Sequence, residues 1–231
     1  MLNKRINPMW VLGIMLAFVA ALGVSSASAD SISLSIGNAA ISGFPGPYAT
    51  LGITFVDATH ANFVLDSNTV GGNIYLFGGK DILGLQTNGG SATVSNLAGS
   101  NSGTGFTNNA GDLTPGTSPQ NEDGFGNFNV GISNFDGFGH SVDHLTFTLT
   151  NASATPWSSA SDVLAPNAQG FEVAGHVFVT AFAADLSNGA IATGFAADGP
   201  ISTPEASSTL LLSLALIGVA IVARKMAVAR V

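Results

Sequence analysis

Run after run of this chain alternates apolar with polar side chains, and each run is too short for anything but a strand. Ile32, Leu34 and Ile36 alternate with Ser31, Ser33 and Ser35, and Leu51, Ile53 and Phe55 with Thr50, Gly52 and Thr54. Ala61, Phe63 and Leu65 repeat the pattern; Phe128, Val130 and Ile132 do so between Asn127, Asn129, Gly131 and Ser133; Leu145, Phe147 and Leu149 alternate with threonines. Successive side chains of a strand point to opposite faces, so a period of two builds half-buried strands. A helix needs a stripe at a period of 3.6, and no long one occurs here. Phe171 to Phe182 is apolar on nearly both faces, which suits a strand covered on both sides. Gly-Gly, Asn-Gly and Asp-Gly pairs, with Pro45, Pro47, Pro156 and Pro166, punctuate the runs. The expected fold is all-β, a β-sandwich or jelly roll over residues 30–195.

Residues 88–123 differ in composition: seven of the thirty-six are Ala, Val, Leu or Phe, so the stretch reads as a long polar loop with one short strand near 92–97. Residues 196–203 read as a spacer. The echo Asp123-Gly-Phe-Gly and Asp136-Gly-Phe-Gly reads as two turns flanking the strand at Phe128 to Ile132.

Charge divides the chain in three. Residues 30–203 carry thirteen acids against Lys80 alone, while Lys4 and Arg5 lie before them and Arg224, Lys225 and Arg230 after them. Nucleic acid is an improbable partner for such a middle, because phosphate contacts need clustered Lys and Arg. The absence of cysteine removes thiol redox chemistry, thiolate metal sites and a cysteine nucleophile.

Both ends read as addresses. Lys4 and Arg5, the apolar run Met9 to Val24 and the small-residue site Ala27-Ser28-Ala29 follow the plan of a secretory signal peptide, residues 1–29, with Asp30 as the new N-terminus. Thr209 to Ala223 is apolar apart from Thr209 and Ser213 and would form a single short transmembrane helix, about 22 Å of a ~30 Å hydrocarbon core. Arg224 and Lys225 are its membrane stop and stay cytoplasmic, which places the acidic domain outside.

Pro204-Glu205-Ala206-Ser207-Ser208, the apolar span and Arg224-Lys225 come in the order of the PEP-CTERM sorting signal of Gram-negative bacteria, and residues 204–231 resemble it. Here Ala206 replaces the second proline of the Pro-Glu-Pro box. The resemblance implies handling by an exosortase, a membrane cysteine transpeptidase that cuts near the box, with Pro204, Glu205 and Ala206 as the recognition residues. Residues 121–180, from Asp123-Gly-Phe-Gly-Asn-Phe-Asn through Leu145-Thr-Phe-Thr-Leu-Thr-Asn to Gln169-Gly-Phe-Glu-Val-Ala-Gly-His, look like the body of small PEP-CTERM proteins. Those relatives have no established enzymatic role and are linked with extracellular polysaccharide, biofilm or floc formation. Signal peptidase and exosortase are thus the implied processing partners. The implied route runs from an inner-membrane-anchored precursor to the cell surface or extracellular space.

Several constellations bear on chemistry. His140, Asp143 and His144 lie within five residues and are zinc-type ligands, though a polar turn entering the Leu145 strand explains them as well. Glu122, Asp123 and Asp136 offer hard oxygen ligands beside glycines, which suits Ca²⁺, without the spacing of an EF-hand. His60 and His176 sit in alternating runs and read as strand histidines. Tyr48, Tyr75 and Trp157 read as core aromatics or, alternatively, a sugar-stacking platform. Asn151-Ala-Ser matches a glycosylation acceptor and reads as a strand-end turn. Glu122 and Glu172 are the domain's glutamates, with nothing in sequence pairing them as a glycosidase would need, and no G-x-S-x-G elbow marks a serine hydrolase. The expectation is a non-catalytic exported protein of the polysaccharide matrix. The alternatives are a Ca²⁺-dependent carbohydrate-binding or adhesive module and a polysaccharide hydrolase.

Overall fold

A computed structural model describes residues 29–107, 112–116, 119–181 and 184–199. Ala27, Pro204, Glu205, Ala206, Arg224 and Lys225, and with them the expected transmembrane helix and the expected signal peptide up to residue 28, lie outside the described residues, while Ala29, its expected last residue, is the first of a strand. Among the described residues no helix is long and apolar enough to cross a membrane.

The described chain is all-β. Its strands are β1 (Ala29–Gly37), β2 (Ala49–Asp57), β3 (His60–Ser67), β4 (Thr69–Val70), β5 (Asn73–Phe77), β6 (Leu83–Leu85) and β7 (Ala92–Ser100). There follow β8 (Thr114–Pro115), β9 (Gln120–Glu122), β10 (Gly126–Phe128), β11 (Val130–Ser133), β12 (His144–Asn151), β13 (Val173–Ala181) and β14 (Ala192–Asp198). Short 3₁₀ turns occur at Phe138–His140, Ala160–Asp162 and Leu186–Asn188.

Twelve strands hydrogen-bond into one antiparallel sheet in the order β7-β12-β3-β2-β1-β14-β13-β6-β11-β8, and β9 and β10 form a separate two-stranded hairpin. Beyond the β13–β6 pairing, β13 pairs with β5 along its second half, and β5 with β4. The sheet curls until its two ends approach, β7 lying beside β8 and β11, so it is nearly closed. Closure of this kind leaves little free edge, and each end is blunted in its own way. β7 carries a bulge at Asn96, whose φ is 52° and where the register against β12 shifts; β8 ends in Pro115, which has no N–H to offer.

The alternation seen in sequence becomes the wall of the core. Ile53 of β2 pairs with Phe63 of β3, which pairs with Phe147 of β12, and the two phenyl rings stack with centroids 4.8 Å apart. Leu51, Leu65 and Leu145 form the next row. All six side chains are at most 2 % exposed, and burial of each such side chain contributes about 1.5–3 kcal/mol. β13 is buried on both faces: Val173, Val177 and Val179 enter the main core, while Ala174 joins Phe125, Phe128 and Ala197 in a smaller cluster beneath the β9–β10 hairpin. That second cover explains the apolar run from Phe171.

Three expectations need correcting. The polar stretch 88–123 contains β7, nine residues long, and also β8 and β9. Ladder hydrogen bonds come from the backbone, and an edge strand needs few apolar side chains, so composition understated it. The spacer does not begin at 196: Ala196, Ala197 and Asp198 finish β14 with at most 3 % exposure, and the compact unit ends at Asp198. Finally, the run Phe128 to Ile132 is two strands, not one. Asn129 breaks it, because its Oδ1 accepts from Thr87 N (2.8 Å) and its Nδ2 donates to Gly90 O (2.7 Å), so β10 pairs with β9 while β11 joins the main sheet.

Candidate polar face and cleft

Where the inner face of β1, β2, β3, β12 and β7 is apolar, the outer face follows from the same period of two and is polar. One row of register partners crosses all five strands: Ser33, Thr50, Asp66, His144 and Ser100. At a strand spacing of ~4.8 Å this row is about 19 Å long. Four residues along, beyond a row of Gly52, Val64, Thr146 and Ala98, the residues Thr54, Asn62, Thr148 and Ser95 form a parallel row. In it Thr148 Oγ1 donates to Asn62 Oδ1 (2.9 Å) and receives Asn96 Nδ2 (3.2 Å). The face therefore presents hydroxyls and amides already oriented by one another.

Asp66 and His144 of the first row also line a cleft of about 540 Å³. Asp66, Asp143 and His144 meet there with the hydroxyl-bearing residues Ser67, Thr69, Ser102 and Thr104. The volume is that of a small-molecule site. His144 Nδ1 lies 2.6 Å from Asp66 Oδ1. Asp143 Oδ2 accepts the Ser102 backbone N–H (2.8 Å) and also its hydroxyl. These bonds fix both carboxylates, yet Asp66 and His144 remain 60 % and 44 % exposed and can still meet a ligand. Ser102 spends its proton on Asp143, and among the described residues no hydroxyl hydrogen-bonds to the other ring nitrogen of His144. The cleft thus sets two carboxylates, an imidazole and several hydroxyls side by side.

The structure separates the zinc-type set: His140 bonds Asp112 (2.8 Å), His144 bonds Asp66, and Asp143 holds Ser102. Among the described residues no three His, Asp or Glu side chains form a group that could hold a metal ion, and Glu122, Asp123 and Asp136 belong to none. Asp123 is exposed and receives Asn38 Nδ2, Asp136 is exposed, and Glu122 is fully buried. The Glu122 carboxyl is pushed well above its usual range, first by burial and then by the charge of Asp81, with a hydrogen bond from Gln120 opposing. Glu172 is pushed up to about 7 by burial and by Asp198 and Asp30, and lies outside the cleft.

Both Asp-Gly-Phe-Gly copies are turns: Gly124 and Gly126 take φ of 89° in the β9–β10 hairpin, and Gly137 leads into the turn at Phe138. Tyr48, Tyr75 and Trp157 are core, none more than 2 % exposed, and so provide no stacking platform. His176 Nδ1 donates to Gly78 O (2.6 Å) and Nε2 accepts from Thr193 Oγ1 (2.7 Å), and burial lowers its pKa, so it is a neutral structural residue. His60 caps a turn with Asp57, whose carboxyl is held down to about 2 by the Thr59 N–H and hydroxyl and by His60. Asn151 closes a strand-end turn with Ser153 and Thr155. Sequence reasoning missed Asp66 and Ser102, whose partners are distant in sequence; the alternating run through Asp66 was the available signal. No protein-family model matches the chain, and no curated protein or solved structure matches it either.

Proposed function

We propose that this is a non-catalytic exported protein whose polar face and cleft bind extracellular polysaccharide, after sorting through the C-terminal signal that resembles PEP-CTERM. The observation that carries the binding reading is the five-strand row from Ser33 to Ser100, whose Asp66 and His144 also line a cleft of carboxylates, imidazole and hydroxyls. Sugar hydroxyls are both donors and acceptors, and this surface offers both at fixed positions. A chain with one base between residues 30 and 203 suits neutral glycans directly. On this reading the curled sheet works as a flattened, sandwich-like scaffold with one glycan-facing side.

A second reading is favoured by Asp66 and Asp143 together in the cleft: acidic glycans bridged through Ca²⁺, with the sugar completing the coordination. Binding to a glycan array, repeated with a chelator, separates the two, and release of reducing ends from matrix polysaccharide tests hydrolysis. No glycan binding, together with normal matrix in a deletion strain, would overturn the matrix role. The sorting proposal stands or falls on intact mass from the native cell: a chain from Asp30 to near Pro204 or Glu205 supports it, whereas retention of Arg230 does not.

A further inference from the structure

The β9–β10 hairpin rests on a part of the main sheet that has almost no side chains. Gly84 of β6 is the register partner of Gly131 of β11, and Gly116, just after β8, donates its N–H to Gly131 O (2.7 Å). A Cβ at Gly84 would stand 2.9 Å from Phe128 Cδ2 and 3.0 Å from Glu122 Cγ and Oε1; one at Gly116 would stand 2.7 Å from Gln120 Oε1. These three glycines are thus a floor, and lying on it are two buried polar side chains from one face of β9, Gln120 at 2 % exposure and Glu122 at 0 %.

Gln120 Nε2 donates to Glu122 Oε1, which accounts for one end of each group. The other ends, Gln120 Oε1 and Glu122 Oε2, are buried with no partner. Both orphans are acceptors, and an unpaired buried acceptor is costly. A carboxyl and an amide have a neutral arrangement that satisfies all four atoms at once, N–H to one carboxyl oxygen and O–H from the other to the amide oxygen. We propose that one proton on Glu122 Oε2, donated to Gln120 Oε1, closes such a reciprocal pair, and that the neutral pair latches the β9–β10 hairpin onto the glycine floor until Glu122 ionises.

The surroundings favour the neutral form. Gly84 of β6 lies beneath both the Glu122 side chain and the Phe128 ring of β10, and Gly116, Gly131 and Ser133 gather beside Gln120. Asp81, before β6, is the charged group whose field reaches it, and that field opposes ionisation. On β13, His176 shares the face of Ala174 but is held neutral between Gly78 and Thr193. Once ionised, Glu122 has a buried charge with one donor, and hydration by leaving the floor becomes the cheaper state.

The test is amide hydrogen exchange of residues 120–128 in the full chain from pH 5 to pH 9, corrected for intrinsic rates and compared with β3 and β12 amides. Protection of the hairpin should hold at low pH and then fall by up to about tenfold per pH unit above the Glu122 midpoint, while β3 and β12 hold. Glu122→Gln, which keeps an amide–amide version of the pair, should remove the pH dependence. In case that variant fails to fold, the carbon-13 titration of the wild-type Glu122 carboxyl should show a midpoint above the ordinary carboxylate range. A midpoint within that range, an equal decline in Glu122→Gln, or hairpin protection that depends on added Ca²⁺ and not on pH would overturn the proposal.

Discussion

His144 Nδ1 stands 2.6 Å from Asp66 Oδ1 although 78 residues separate them, because β3 and β12 pair in a register that places the two directly opposite. That pairing converts two scattered polar residues into the centre of a surface, with Thr50 and Ser33 on one side and Ser100 on the other.

Asp66→Asn and His144→Gln should each weaken binding to the best array glycan by about 10-fold or more, since a hydrogen bond to a charged group is worth ~1.5–3 kcal/mol. Because the pair is largely exposed, the loss of stability should stay within about 1 kcal/mol. Calorimetric titration and thermal melts of the same samples check both halves.

The domain should be more stable in mild acid than in mild alkali. Glu122, Glu172 and Asp198 all have folded pKa values above their usual ones, chiefly through burial. Such groups contribute stability that is complete below the unfolded carboxylate range and is lost as pH rises through the folded value, which for Glu172 is about 7. Asp57, held down to about 2, acts the other way, and its contribution is lost only below the unfolded aspartate range. His176, whose pKa burial lowers, also acts the other way, its contribution being lost as pH falls below the unfolded histidine range. Three raised carboxyls against this one imidazole still make the melting midpoint fall from mild acid toward pH 8. A midpoint that rises steadily over that interval contradicts the assignment.

Phe63→Ala should cost about 3–5 kcal/mol in urea unfolding, since it removes a fully buried ring stacked on Phe147 and leaves a cavity that strands on both sides hold open. Phe63→Leu should cost markedly less.

Gly84→Ala should cost about 1–3 kcal/mol, because its new methyl lies within 3.0 Å of both Phe128 and Glu122. The damage should be local: exchange protection falls in β9 and β10 while β3 and β12 keep theirs.

Much of the fold was legible in the chain. Period-two runs located β1, β2, β3 and β12, and the doubly apolar run located β13. Both Asp-Gly-Phe-Gly turns were legible for the same reason, since glycine there serves a local backbone need that no distant contact alters. Less was legible where a strand is made by its partner. β7 has an ordinary polar composition and is a strand because β12 offers it a ladder; Ala196 to Asp198 extend β14 because β1 and β13 flank them.

The candidate site divides along the same line. Asp143 and His144 drew attention as a local cluster, but their partners, Ser102 and Asp66, come from other strands and turns. Glu122 drew attention as an exposed ligand for Ca²⁺; its burial follows from the hairpin folding down on Gly84, a residue 38 positions earlier with nothing to mark it. By itself the sequence determined the all-β class, the division of charge between ends and middle, and which face of each strand is polar, because periodicity and charge are properties of neighbours. Only the tertiary structure decided strand order, register and the company each carboxylate keeps, because those depend on contacts between residues far apart in the chain.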